Sequence, residues 1–192
     1  MFAGNDAPAV LVPASERARG LGVRWYEANV SRSGSLSLTA RGASGQMVSR
    51  IDGKPAGRSG IALTIVMGDS QMTLETQISR GPAKGLALVS VKMDGQEAMV
   101  SSTDDNQGQI ELSETWTAAL NLWQEGPDLF AMLSAHEKSQ SDSGHHCGSC
   151  LLLGAGVSVG AGLCAGTLNP AACGLTLTAG GLFIESCEGA CA

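Results

Sequence analysis

The first 146 residues of this 192-residue chain contain no cysteine, whereas all six cysteines fall between Cys147 and Cys191. Charge is also scarce, with only 16% of residues ionised, against about 25% in ordinary globular domains. There are three histidines, and aromatic residues make up 4% of the chain. Each shortage excludes something. Without cysteines, the long N-terminal part must hold itself together with an apolar core, while the C-terminal quarter has covalent staples available. Twelve basic residues against 18 acidic ones give a net charge of -6. The nearest approach to a basic cluster, Arg17, Arg19 and Arg24, is flanked by Glu16 and Glu27. Nucleic-acid partners are therefore not expected, because neutralising phosphates needs clustered Lys and Arg. Two of the three histidines, His145 and His146, close a polar stretch, and no nucleophile-and-base pair stands out. The chain is accordingly not expected to be an enzyme, and no cofactor is expected.

Residues Met1–Gly20 lack a basic start followed by an apolar run, and Ala7–Pro13 is too short for the core of a signal peptide. No export route is recognisable, so either the chain starts in the cytosol or a leader precedes it. Residues 1–20 read as a flexible lead-in.

Residues 21–125 read as a β-rich domain. Apolar residues recur at every second position: Leu36 and Leu38, then Ile61, Leu63, Ile65 and Met67, then Met72, Leu74 and Ile78, then Val89, Val91 and Met93, then Ala98 and Val100. That period puts one face of each strand in a core and the other in water. Gly68-Asp69 and Asp94-Gly95 separate consecutive runs and are hairpin signatures. Asp52-Gly53 is a further turn candidate. About six or seven antiparallel strands are expected. Ser113–Gln124 fits a helix through Trp116, Leu120 and Trp123, or a last strand. Residues 126–146 combine a short helix after Pro127, with Leu129, Met132 and Leu133 on one side, and a polar linker from Lys138 to His146.

Residues 147–192 contain only two charged residues, Glu185 and Glu188. The six cysteines are spaced almost as a palindrome. Paired from the outside in, as Cys147–Cys191, Cys150–Cys187 and Cys164–Cys173, all three pairs are centred at Leu168-Asn169 or on Asn169. A shared centre is what an antiparallel hairpin produces, since positions equidistant from the turn lie side by side. The centre falls beside Asn169-Pro170, a turn signal that also suits the start of a second helix. Arms of about 14 residues are longer than typical strands, and cysteines three or four apart can share a helix face. Two helices are therefore expected, with their small residues permitting close approach of the two arms. A 46-residue unit of this kind needs staples because its own core is small. The fold class is α+β: an antiparallel β-rich domain followed by a disulfide-stapled helical hairpin.

Other patterns compete for the same residues. His145-His146-Cys147-Gly148-Ser149-Cys150 resembles a metal half-site or a redox motif, but four ligands within six residues are strained around one tetrahedral ion. Gly154–Gly160 resembles a dinucleotide loop without the second strand and acidic residue that such a site requires. Leu151–Pro170 carries no charge over 20 residues, which is close to a membrane span.

The Cys-Gly-Ser-Cys start at Cys147, the apolar Gly/Ala/Leu stretches punctuated by Cys164 and Cys173, and the Cys-Glu-Gly-Ala-Cys close at Cys191 carry a family resemblance. This tail resembles the cysteine-rich C-terminal peptide of halocin-type bacteriocin precursors and their bacterial relatives. It departs from them in having six cysteines where some members have more. The resemblance implies an antimicrobial peptide released by a processing protease, with an N-terminal part that shields it or confers immunity through contact with the tail. The cleavage region is expected at Ser143, Gly144, His145 and His146. The released peptide would be secreted and would act on a target-cell membrane or receptor. Two other readings remain: a secreted or surface binding module capped by the stapled tail, and a cysteine-rich metal or redox protein.

Overall fold

A computed structural model describes residues 10–31, 34–81, 87–100, 110–124, 129–130, 133, 147–167 and 170–187. Eight strands follow one another in space as they do in sequence: β1 (Val10–Pro13), β2 (Trp25–Val30), β3 (Leu36–Arg41), β4 (Met47–Pro55), β5 (Gly60–Met67), β6 (Ser70–Arg80), β7 (Ala87–Met93) and β8 (Gln96–Val100). Every neighbouring pair is antiparallel. Helix α1 (Glu16–Gly20) joins β1 to β2, and α2 (Glu114–Trp123) follows the sheet. Helices α3 (Cys147–Thr167) and α4 (Pro170–Cys187) complete the α+β fold as a hairpin.

The alternation in the sequence becomes the two faces of this sheet. In β6, Met72, Leu74, Thr76 and Ile78 are buried while the residues between them are exposed. Registers align the buried side chains in rows across the strands; one row runs Leu36, Gly53, Leu63, Leu74, Met93. Two of the expected turns are present. Gly68 (φ 59°) opens the two-residue loop between β5 and β6, where a positive φ at the first central position is required. Asp94 (φ 47°) and Gly95 (φ 88°) both take positive φ between β7 and β8, as a type I′ turn demands.

Asp52-Gly53 is not a turn. Both residues lie inside β4, and a Cβ on Gly53 would sit 2.8 Å from the Leu63 side chain. The glycine makes room for a neighbouring strand's side chain rather than reversing the chain. The flexible lead-in expected for residues 1–20 is also corrected from residue 10 onward. Val10–Pro13 pairs with Trp25–Ala28 as an eighth strand, and Ser15 caps α1 by accepting from the Ala18 N–H at 3.2 Å. A four-residue strand is too short for its alternation to be distinctive.

Ser113–Gln124 resolves as a helix. The Ser113 hydroxyl caps α2 by accepting from the Trp116 N–H at 3.1 Å. Trp116, Leu120 and Trp123 then lie on its buried side. Trp123 is fully buried: its ring meets Tyr26 at 5.5 Å between centroids, and its Nε1–H donates to Ser49 Oγ at 2.8 Å. Leu129, Phe130 and Leu133 are helical and buried, in keeping with a short helix there; Met132 lies outside the described residues. One apolar core runs through the sheet, α2 and the hairpin.

Candidate functional site

Helix α3 crosses the inner face of the sheet, touching β3 through β8 and also α2, while α4 lies against β6 and β7. The order follows from composition. A helix that is apolar all round has no side to offer to water and must be enclosed. Of the 21 residues of α3, 14 are buried. Helix α4 keeps an exposed edge at Gly174, Thr178, Leu182, Glu185 and Ser186.

Two disulfides of the hairpin lie wholly within the described residues. Cys150–Cys187 joins the open end with Cα atoms 5.5 Å apart, and Cys164–Cys173 joins the closed end at 4.8 Å. Both are the pairs expected from the palindromic spacing. Cys147 is also disulfide-bonded; its expected partner, Cys191, lies outside the described residues. So do Ser143, Gly144, His145 and His146, where cleavage is expected. No described cysteine is free, which leaves Cys147 and Cys150 bonded as disulfides rather than available as thiolate ligands. Among the described residues no cluster of three or more His, Cys, Asp or Glu side chains could hold a metal ion. Gly154–Gly160 lies within α3 and forms no phosphate-binding loop.

The glycines of the hairpin are where the site differs from its expectation. Small residues were expected to bring the two arms together, and Gly160 does so, facing Thr176 across the helix pair. Five others receive side chains from outside the hairpin, Gly154 also lying against Phe183 of α4, whereas Gly174 meets nothing within 4 Å. Gly154 faces Ile61 of β5, Gly156 faces Phe130, Gly162 faces Leu120 and Met93, Gly166 faces Leu112, and Gly180 faces Ala87 and Val89 of β7. Packing is close throughout. The seam between the Cys150–Cys187 end and the β4–β5 loop holds only about 10 Å³, no more than about one water. Sequence reasoning identified Ile61 and Leu120 as core residues but could not assign them partners 93 and 42 positions away.

Polar groups in this interior are few. Ser158 Oγ donates to the Gly154 carbonyl at 2.9 Å, and the Ile110 N–H donates to the Ala165 carbonyl at 3.1 Å, satisfying one group at the end of α3. Among the described residues Thr76 is the exception: its hydroxyl is buried with no hydrogen-bond partner. On the other side of α2, an open groove of about 430 Å³ is lined by Leu21, Met67, Leu112, Leu122 and the polar edge of α2.

Comparison with protein-family models, curated proteins and solved structures gives no match.

Proposed function

We propose that this chain is the precursor of a bacteriocin-like antimicrobial peptide, in which residues 10–124 sheathe a hairpin that is later set free. The observation that carries this reading is a mismatch between covalent and non-covalent boundaries. All six cysteines belong to residues 147–191, so no disulfide can tie the hairpin to the sheet. One cut in the linker, in the region Ser143–His146, therefore leaves the hairpin held only by packing. Its own two described disulfides travel with it and preserve its shape. An uncharged helix of 21 residues is also long enough to cross a membrane, yet 72% of its most apolar window is buried within the protein. Sheathing of this kind accounts for how so apolar a segment is kept in solution, and it gives the N-terminal part a shielding or immunity role.

Freed of the sheet, α3 exposes a large apolar surface, which favours a membrane or an apolar receptor site as the target. Neither Lys nor Arg occurs in the tail, so attraction to anionic lipid is not the driving force. Intrachain disulfides accord with an oxidising, extracellular destination.

The test is the intact mass of natively produced protein from cells and medium, before and after reduction, together with growth inhibition of related strains by the oxidised hairpin. A peptide of about 46 residues in the medium, about six mass units lighter before reduction, is the expected product. Full-length protein with six free thiols inside the cell would sink the proposal.

A second reading, a secreted or surface binding module with a disulfide-stabilised cap, is favoured by the single core that sheet and hairpin share. Uncleaved, oxidised protein in the medium is its signature.

A further inference from the structure

Helical glycine is costly, by about 1 kcal/mol per position relative to alanine. The hairpin nevertheless carries it at Gly154, Gly156, Gly160, Gly162, Gly166, Gly174 and Gly180, among others. The surface they help form is almost uncharged, and the one described charge of the hairpin, Glu185, is exposed. Electrostatic complementarity, the usual means of choosing a partner, is therefore not available to the sheet. Steric exclusion is the remaining means.

We propose that the inner face of the sheet recognises the hairpin by fitting side chains into missing methyl groups, with Ile61 opposite Gly154 and Ala87 opposite Gly180 as the selecting pairs. This deepens the precursor reading and rests on it, since the hairpin is then the ligand and residues 10–124 its receptor. A Cβ at Gly154 would collide with Ile61 Cδ1 and lie 3.1 Å from Ile61 Cγ1 and 3.2 Å from Phe183 Cε2 of α4. A Cβ at Gly180 would lie 2.8 Å from the Ala87 Cβ, an atom fixed to the backbone of β7, and 3.5 Å from a Val89 methyl. Ile61 and Ala87 are themselves buried, and the seam that Ile61 lines holds only about 10 Å³. Close-packed interiors accept exchanges that conserve volume and reject added methyl groups. A hairpin with the same disulfides but alanine at either position cannot seat at this depth. Gly174 supplies the internal control: it is exposed, and a Cβ there meets nothing within 4 Å.

The experiment moves a methyl group across the interface in the oxidised full-length chain. Gly154→Ala is made alone and with Ile61→Val, which removes the colliding Cδ1. Gly180→Ala is made alone and with Ala87→Gly. Gly174→Ala is made alone. Each variant is unfolded with denaturant. Gly174→Ala is expected to raise the folded-to-unfolded ratio about fourfold, the helix preference of alanine acting alone. Gly154→Ala and Gly180→Ala are each expected to lower it at least tenfold in the native background. In the Ala87→Gly background Gly180→Ala should become neutral or favourable, and in the Ile61→Val background, where Cγ1 and Phe183 still lie close, the loss caused by Gly154→Ala should shrink severalfold. Relief of each alanine's penalty by the smaller partner is the signature of the fit. If a single variant fails to fold, recovery in the paired variant supports the proposal and failure in both overturns it for that pair. Alanines that behave like Gly174→Ala, or equally badly in both backgrounds, overturn it outright. Growth inhibition by the released hairpin is a separate readout. Its absence would end the precursor reading without touching the measured coupling, and absent coupling would end this proposal without touching the precursor reading.

Discussion

Residues 10–124 and residues 147–187 lay out polarity in different ways. In the sheet, exposed Thr73, Glu75 and Gln77 alternate with buried Met72, Leu74, Thr76 and Ile78, so each strand supplies both a core and a wetted surface. In the hairpin, the first helix exposes only Thr167 at its end, its other residues being buried or half-buried, and the second reaches solvent along one edge. The sheet carries a polar face in its own sequence but closes no covalent loop. The hairpin closes covalent loops, but its apolar surface is covered by the sheet. A stapled element can thus keep its internal shape while depending on another part of the chain to hide its surface, and a release mechanism needs that combination.

The comparison breaks if the two regions prove to be independent, and the largest effect tests this. Trp123→Ala removes a side chain from the α2 side of the core, together with its hydrogen bond to Ser49, and should cost about 3–5 kcal/mol. Because the core is shared, far-UV circular dichroism, which reports the hairpin helices, should show the same loss as tryptophan fluorescence. Next come the staples. Replacing Cys150 and Cys187 by serine removes a cross-link between residues 37 apart, and replacing Cys164 and Cys173 removes one between residues 9 apart; each should cost about 2–4 kcal/mol. All three tryptophans, Trp25, Trp116 and Trp123, lie outside the hairpin. If their unfolding midpoint stays fixed when the staples are removed, sheet and hairpin are separate units and the shared core does not couple them.

Two smaller effects sharpen the picture. Thr76→Val removes a buried hydroxyl that has no partner and should stabilise the protein by about 1–2 kcal/mol in a denaturant titration. Destabilisation instead would mean that the hydroxyl is bridged by water to the hairpin. Leu182→Ser, on the edge of α4 where the side chain is 53% exposed, should stay within about 0.5 kcal/mol of the native protein. A larger loss would place that edge inside an interface.

Much of the fold was legible because it rests on relations between near neighbours. The turns at Gly68-Asp69 and Asp94-Gly95 need particular φ values that glycine and aspartate supply locally. The ambiguity over Ser113–Gln124 and the misreading of Asp52-Gly53 have one cause. Trp116, Leu120 and Trp123 have helical spacing, and Asp-Gly is a turn pair, but packing against distant residues decides whether either tendency is used. Gly53 lies beside Leu63 and Leu36, and that contact outweighs its turn preference. The candidate site divides in the same way: its disulfide partners could be read, whereas the side chains that enclose it could not.

The sequence by itself determined the alternating strands and the pairing of Cys150 with Cys187 and of Cys164 with Cys173, because period two and a common centre follow from chain geometry alone. Only the tertiary structure decided that the sheet encloses the hairpin and that Gly154 and Gly180 lie against Ile61 and Ala87. Those contacts join residues 93 positions apart in each pair. Shape complementarity over such separations leaves no periodic or local trace, since a glycine that makes room for a neighbour is written with the same letter as one that makes a turn.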